Sequence, residues 1–265
     1  LLSHSQGGFR RGRECVGQAV LLYETLWRRR LVKKKTYVAF IDLSKAFDRV
    51  WRVGLLYKLK QMGVSTRVLS VLRSLYEHTR ASVRVNGDFT RFFDTTTGVP
   101  QGARLSPLAF LVYINDLLVE LESAGIGVAI PDIPERDSPF AKPNRLADLA
   151  IADDLALLTE SPEKLQIGID ILQRWCLKWK MLVNIGKTKV MVVHPPSQEE
   201  EVLPPRVEFD GVPLEVVHSY LYLGINISDD LEWDLEARYR ISIAERLTER
   251  WARVLRNPNI PSAVR

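Results

Sequence analysis

The period of apolar and polar positions changes several times along the chain, and each change marks an element. Over residues 14–30, Val16, Val20, Tyr23 and Trp27 recur at helical spacing, which predicts an amphipathic helix with that stripe turned inward. Residues 37–42, Tyr-Val-Ala-Phe-Ile-Asp, form an apolar run of strand length that ends in a carboxylate. Helical spacing returns over residues 51–62, closed by Gly63, and over 66–78. Residues 82–93 alternate around Asn86-Gly87, a strong tight-hairpin signal. Ser106-Pro107 reads as the N-cap and first helical position of a helix over 108–121, and residues 130–145, rich in Pro and charge, as a surface loop.

In the second half, Leu149-Ala-Ile-Ala, then Asp153-Asp154, then Leu-Ala-Leu-Leu predicts two short strands joined by an acidic tip. Ser161-Pro162 opens a helix whose Leu165, Ile169, Leu172, Cys176 and Trp179 make a core face. Lys187 and Lys189 fall on a turn ahead of a strand ending near Val193. A second hairpin surrounds Asp210-Gly211, the run Ser219-Tyr-Leu-Tyr-Leu-Gly-Ile follows, and residues 234–256 form a basic helical pattern. Strand-like and helical stretches intermingle along the chain.

Composition narrows the classes of function. The chain has 265 residues, 46% hydrophobic and 26% charged, enough for a large core. Its formal net charge of +5 suits a polyanionic partner. Arg10, Arg11, Arg13, Arg28, Arg29, Arg30, Lys33, Lys34 and Lys35 crowd one end, either as a solvated basic face or as a nucleic-acid contact. Cys15 and Cys176 lack any C-x-x-C or His spacing, so neither a zinc site nor a disulfide framework is expected. The most apolar segment, residues 105–118, is interrupted by Asn115 and Asp116 and is too short to span a bilayer, so no membrane partner is expected. A start at Leu1 without Met or signal peptide is expected of a fragment or excised domain.

The chemistry concentrates in carboxylates at the tips of apolar strands. Asp42 can cap the following helix, and Asp153-Asp154 can be a solvated turn. If the strands are neighbours, however, the three like charges crowd together and call for divalent cations. Oxygen donors favour two Mg²⁺, or Mn²⁺, and two such ions support phosphoryl transfer. The loop Gly7-Gly-Phe-Arg-Arg-Gly-Arg13 offers glycines and guanidiniums to phosphate, or is simply surface. Gln101 lies in a second glycine loop.

Six blocks in order carry a resemblance: Q-G-G-F-R-R-G-R, A-F-I-D-L-S-K-A-F-D, G-V-P-Q-G-A-R-L-S-P-L-A-F, A-D-D-L-A-L-L, N-I-G-K-T-K and Y-L-Y-L-G. The chain resembles the reverse transcriptase domain of non-LTR (LINE-type) retrotransposons over nearly its whole length. The resemblance implies an α+β fold, a right-hand polymerase palm with an antiparallel sheet backed by helices, over 37–225, with inserted finger elements over approximately 52–97. Residues 1–36 are then partial fingers and 226–265 the beginning of a thumb or connection. The implied partners are an RNA template, a DNA primer and dNTP. Asp42, Asp153 and Asp154, with the Leu43 carbonyl, are the implied metal ligands, and Lys187 the group that meets departing pyrophosphate. Ala46, Phe47, Gln101 and Gly102 are implied to line the nucleotide pocket, with Phe47 as the wall against a ribose 2′-hydroxyl, which disfavours an RNA-templated RNA polymerase. Arg10, Arg13, Ile151, Tyr222, Leu223 and Gly224 are implied to meet primer or template. Ile151 departs from the family, which has an aromatic residue there. A truncated, catalytically inactive nucleic-acid-binding remnant is the alternative function, and further finger and thumb segments are expected beyond both ends. A nuclear location follows by analogy with elements that prime on chromosomal DNA.

Overall fold

Strand Thr36–Asp42 can be covered on both faces because six of its seven residues are apolar or small enough to bury, and all but Asp42 are buried. In the computed structural model, which describes residues 2–131, 145–195 and 205–255, it is the middle strand of a five-stranded sheet. The spatial order is Glu215–Val216, Lys189–Val193, Thr36–Asp42, Asp154–Thr159, Asp148–Ile151. All neighbours are antiparallel except the first pair, where Lys189 lies beside Glu215 in a parallel bridge.

The period-2 alternation sorts the sheet into two covered faces. Ala39, Ile41, Leu155, Leu157, Val190 and Val192 meet helices α3 (Arg52–Gln61), α5 (Ser106–Ser123) and α6 (Pro162–Trp179). Val38, Phe40, Ala156, Leu158, Met191 and Val193 face α1 (Cys15–Leu31) and the hairpin of strands Ser219–Tyr222 and Ile225–Ser228. The short α2 (Ala46–Arg49), α4 (Thr66–Glu77) and the C-terminal α7 (Asp234–Leu255) complete the helices of the described residues. Tight turns sit where Asn-Gly and Asp-Gly predict them, with Asn86, Gly87, Asp210 and Gly211 all at positive φ. The 130–145 loop lies largely outside the described residues.

Three expectations need correction. Helix α1 forms, but its buried face is Gln18, Ala19, Leu22, Thr25 and Leu26, while Val16 is 61% exposed and Val20 40%. The polar members bury because each finds a hydrogen bond: Thr25 Oγ1 donates to Leu21 O, and Gln18 Nε2 to Ser5 O. Arg28 and Arg29 are not part of a basic surface; both are about 1% exposed. Arg28 pairs with Glu24 at 2.6 Å, and Arg29 donates to Thr36 Oγ1, Lys35 O and Ala129 O, tying α1 to the start of the central strand. Ser106 is the first residue of α5 rather than its cap, and its hydroxyl donates to Pro100 O at 2.5 Å.

Two buried cations outside the predicted site hold the helical layer. Arg52 donates to Gly98 O, Tyr76 O, Thr95 O and Thr97 O, fastening the segment after α4 onto α3. Lys58 ion-pairs with Asp116 at 2.6 Å while its ammonium lies 3.7 Å from the Trp179 ring centroid and 4.6 Å from that of Tyr113. Burial pushes its pKa down to about 8, against the pull of Asp116.

Candidate active site

Antiparallel pairing brings the predicted carboxylates together. Asp42 ends the central strand, and the register sets it directly opposite Asp154, the first residue of the adjacent strand. Asp153 occupies the turn between Ile151 and Asp154. Burial holds Asp153 above the ordinary carboxylate range, reinforced by Asp42; Asp154 is raised by burial, then by Asp153 and Asp42, with Lys187 opposing. Lys187 Nζ stands 3.7 Å from Asp42 Oδ2, the only ion pair that reaches the three carboxylates among the described residues. Its turn is built by Asn184 O, which accepts from the N–H groups of Lys187 and Thr188, and the strand bond from Asn184 N to Asp42 O brings it alongside.

Three acidic groups facing one lysine are short of positive charge, and their donors are all hard oxygens, the set that suits Mg²⁺ or Mn²⁺. Among the described residues no three His, Cys, Asp or Glu side chains stand as a group that could hold a metal ion. The register sets Asp42 opposite Asp154, with Asp153 in the adjoining turn.

The implied nucleotide-pocket residues converge beside them. Leu43 is buried and bridges to Val183 across the strand end. Ala46 is buried at the start of α2, and the half-buried Phe47 stacks on Phe110 with centroids 4.9 Å apart. Phe47 O accepts from Val99 N and Val50 O from Gly98 N, which lays the glycine loop on α2. Gly98, at φ 84°, approaches so closely that a Cβ would lie 2.8 Å from Asp48 O. Gln101 Nε2 donates to Asp48 Oδ1 at 3.4 Å, and Gln101 and Gly102 are exposed at the loop tip.

The remaining implied contacts divide. Arg10 turns back onto its own loop, donating to Ser3 O and Gln6 O, and Arg13 donates to His4 O. Tyr222 is 2% exposed, with its hydroxyl donating to Leu149 O, so its side chain supports the hairpin and does not present itself to a primer. Leu223 and Gly224 form the hairpin turn at φ 49° and 80° beside a cleft of about 170 Å³ that also includes Asp154 and Tyr220. Tyr220 is a participant that sequence reading missed: its ring stacks on Phe40 at 4.2 Å, and its hydroxyl donates to Lys187 O at 3.4 Å. The signal that could have found it is its place two residues before Tyr222 on a strand, which puts both on one face.

Gln6 is also unforeseen. The segment from Ser5 to Gly7 runs parallel to strand Asp148–Ile151 and covers that edge of the sheet, with Gly7 N donating to Ala150 O and Ala150 N to Ser5 O. Gln6 is 1% exposed. Its Oε1 accepts from Ala152 N at 3.0 Å and from Gly8 N at 2.7 Å, and its Nε2 donates to Ala152 O at 3.4 Å. Ala152, immediately before Asp153, has a φ of 54°, a left-handed conformation that costs a non-glycine residue of order 1 kcal/mol and persists where its surroundings hold it. Gly8 must lack a side chain here, because a Cβ would lie 2.5 Å from Ala152 N. Ile151 is half-buried, and its Cδ1 lies where it would be 2.8 Å from a Cβ on Gly7.

The chain is similar to known proteins in sequence and in fold. Residues 1–227 match the family described as reverse transcriptase (RNA-dependent DNA polymerase). The RNA-directed DNA polymerase from mobile element jockey of Drosophila funebris is 29% identical over 76% of this chain and 20% of its own length. The probable RNA-directed DNA polymerase from transposon BS of Drosophila melanogaster is 30% identical over 87% of this chain and 24% of its own. The chain therefore spans between a fifth and a quarter of these relatives. In fold it is similar to apo telomerase of Candida tropicalis truncated from its C-terminal domain, with a TM-score of 0.55 and 13% identity over 86% of this chain and 40% of that one. A five-stranded, mostly antiparallel sheet with acidic strand tips and helices behind it is a polymerase palm, and the chain belongs to the reverse transcriptase family, in the form carried by non-LTR retrotransposons.

Proposed function

We propose that this chain is the catalytic core of an RNA-directed DNA polymerase that extends a DNA primer on an RNA template with dNTP. The meeting of Asp42 and Asp154 across one strand pair, with Asp153 in the adjoining turn and Lys187 at 3.7 Å from Asp42, carries the reading. Asp42, Asp153, Asp154 and the Leu43 carbonyl would hold two Mg²⁺, which when bound supply charge neutralisation to the triphosphate and to the primer 3′-oxygen. Lys187 brings a cation to the side of Asp42, where it offsets charge on the leaving pyrophosphate. Phe47, fixed between Phe110 and the edge of Phe9 at 6.4 Å, presents a rigid wall beside Ala46 to the sugar. Gln101 and Gly102 offer an amide and an open backbone to the nucleotide, and the 223–224 turn borders the primer end. Residues 37–225 act as palm with inserted fingers at approximately 52–97, between partial fingers at 1–36 and the start of a thumb at 226–265, and the protein works in the nucleus.

Primer extension on an RNA template with Mg²⁺ tests the reading: dNTP incorporation that stops when a chelator is added is the expected result. Salt-dependent RNA binding without any incorporation would instead favour a binding remnant. Phe47→Val widens the wall, so the preference for dNTP over ribonucleotide, taken as the ratio of kcat/KM values, falls by about 10- to 100-fold, or ~1–3 kcal/mol. An unchanged ratio removes Phe47 from the sugar contact.

A further inference from the structure

We infer that Gln6 is a positioning residue for Asp153, acting as a clamp of three hydrogen bonds that holds the peptide units of Ala152 and Gly8 and so sets the direction of the following carboxylate. The inference rests on the polymerase reading only for its kinetic consequence; the clamp itself stands on geometry. One side chain accepts from Ala152 N and donates to Ala152 O, satisfying both backbone groups of a residue in the left-handed region. No strand partner could do this, because the turn lies beyond the paired residues Ile151 and Asp154. The same amide oxygen accepts from Gly8 N, so the glycine-arginine loop and the catalytic turn are locked as one piece. Gln18 packs against the far side of this loop, where its Nε2 would lie 2.4 Å from a Cβ on Gly7, leaving the backbone there little freedom to follow a loosened turn. A carboxylate that must face Asp42 and Asp154 at close range gains from such a brace, since repulsion would otherwise swing it outward.

The consequence is a loss confined to the chemical step. Gln6→Met keeps length and removes all three bonds; Gln6→Glu keeps an acceptor for Ala152 N and Gly8 N but cannot, when ionised, donate to Ala152 O. In the intact protein the single-nucleotide incorporation rate is expected to fall 10- to 100-fold in Gln6→Met and less in Gln6→Glu, with KM for dNTP and the dissociation constant for primer–template within twofold of wild type. Amide hydrogen exchange read without metal or substrate is expected to speed up at least tenfold for the peptide covering 149–155 in Gln6→Met, with the central strand 36–42 unchanged. Unchanged exchange in that peptide, or acceleration spread equally over the sheet, overturns the clamp. Wild-type kcat in Gln6→Met, with the turn loosened, overturns its role in positioning. If wild type itself incorporates no nucleotide the polymerase reading fails, while the exchange result still decides whether the clamp exists.

Discussion

Asp153→Asn is expected to leave the protein folded and bound to primer–template but to lower single-turnover incorporation by at least about a thousandfold, ~4 kcal/mol of transition-state free energy. Asn keeps the shape of the side chain and removes the charge that the metal-holding role requires. The same substitution relieves repulsion: Asp153 sits above the ordinary carboxylate range through burial and the nearness of Asp42, so its ionised form is a burden on the metal-free fold. Thermal melts without divalent ions should therefore show the variant at least as stable as wild type. Equal incorporation rates would remove Asp153 from the chemistry, and a lower melting temperature would assign it a structural role.

The second large effect lies five residues away. Asp148 has no exposed surface, neither carboxylate oxygen has a hydrogen-bond partner among the described residues, and burial raises its pKa to about 7, partly countered by the nearby Ser5 hydroxyl. The folded state thus keeps a proton that the unfolded chain gives up near its ordinary pKa of about 4. Stability from this group is complete below that value, declines as pH rises toward 7, and is lost above it. The free energy lost between those two ends is about 4 kcal/mol. Asp148→Asn should flatten the decline and make the protein more stable than wild type at about pH 8. Denaturant unfolding of both proteins at a series of pH values from about 5 to about 8 checks this, and parallel curves would mean that Asp148 keeps a compensating partner at high pH.

The sheet and its acidic tip are legible in the sequence because short apolar runs such as 37–41, 149–152 and 155–158 leave their carboxylates nowhere but the ends. The hairpin turns are legible because Asn-Gly and Asp-Gly are local signals. What escaped was set by partners distant along the chain. The helix-spaced stripe Val16, Val20, Tyr23 and Trp27 is only half buried: Tyr23 and Trp27 pack against the core while Val16 and Val20 face solvent, because Gln18 and Arg29 turn inward to carbonyls of other segments and Thr25 and Arg28 to Leu21 O and Glu24 of the same helix. The basic cluster misled for the same reason: charge can be counted in sequence, but whether Arg29 meets water or Thr36 cannot. The resemblance points to Tyr222, yet both rings contact Phe40 and it is Tyr222 that is buried against Leu149, leaving Tyr220 the more accessible of the two. Gln6 stands in the sequence only as the first letter of the Q-G-G-F-R-R-G-R block, since nothing local links it to a turn 146 residues away.

The pairing of Asp42 with Asp154 has a kinetic side. The two belong to strands separated by more than a hundred residues, with α2 to α5 formed between them. Closing so long a loop is costly in entropy and slow, so helices and local hairpins assemble well before these strand ends meet. A chain in which this strand pair has not formed holds no gathered carboxylates, so the acidic cluster is a property of the paired sheet and of neither strand alone.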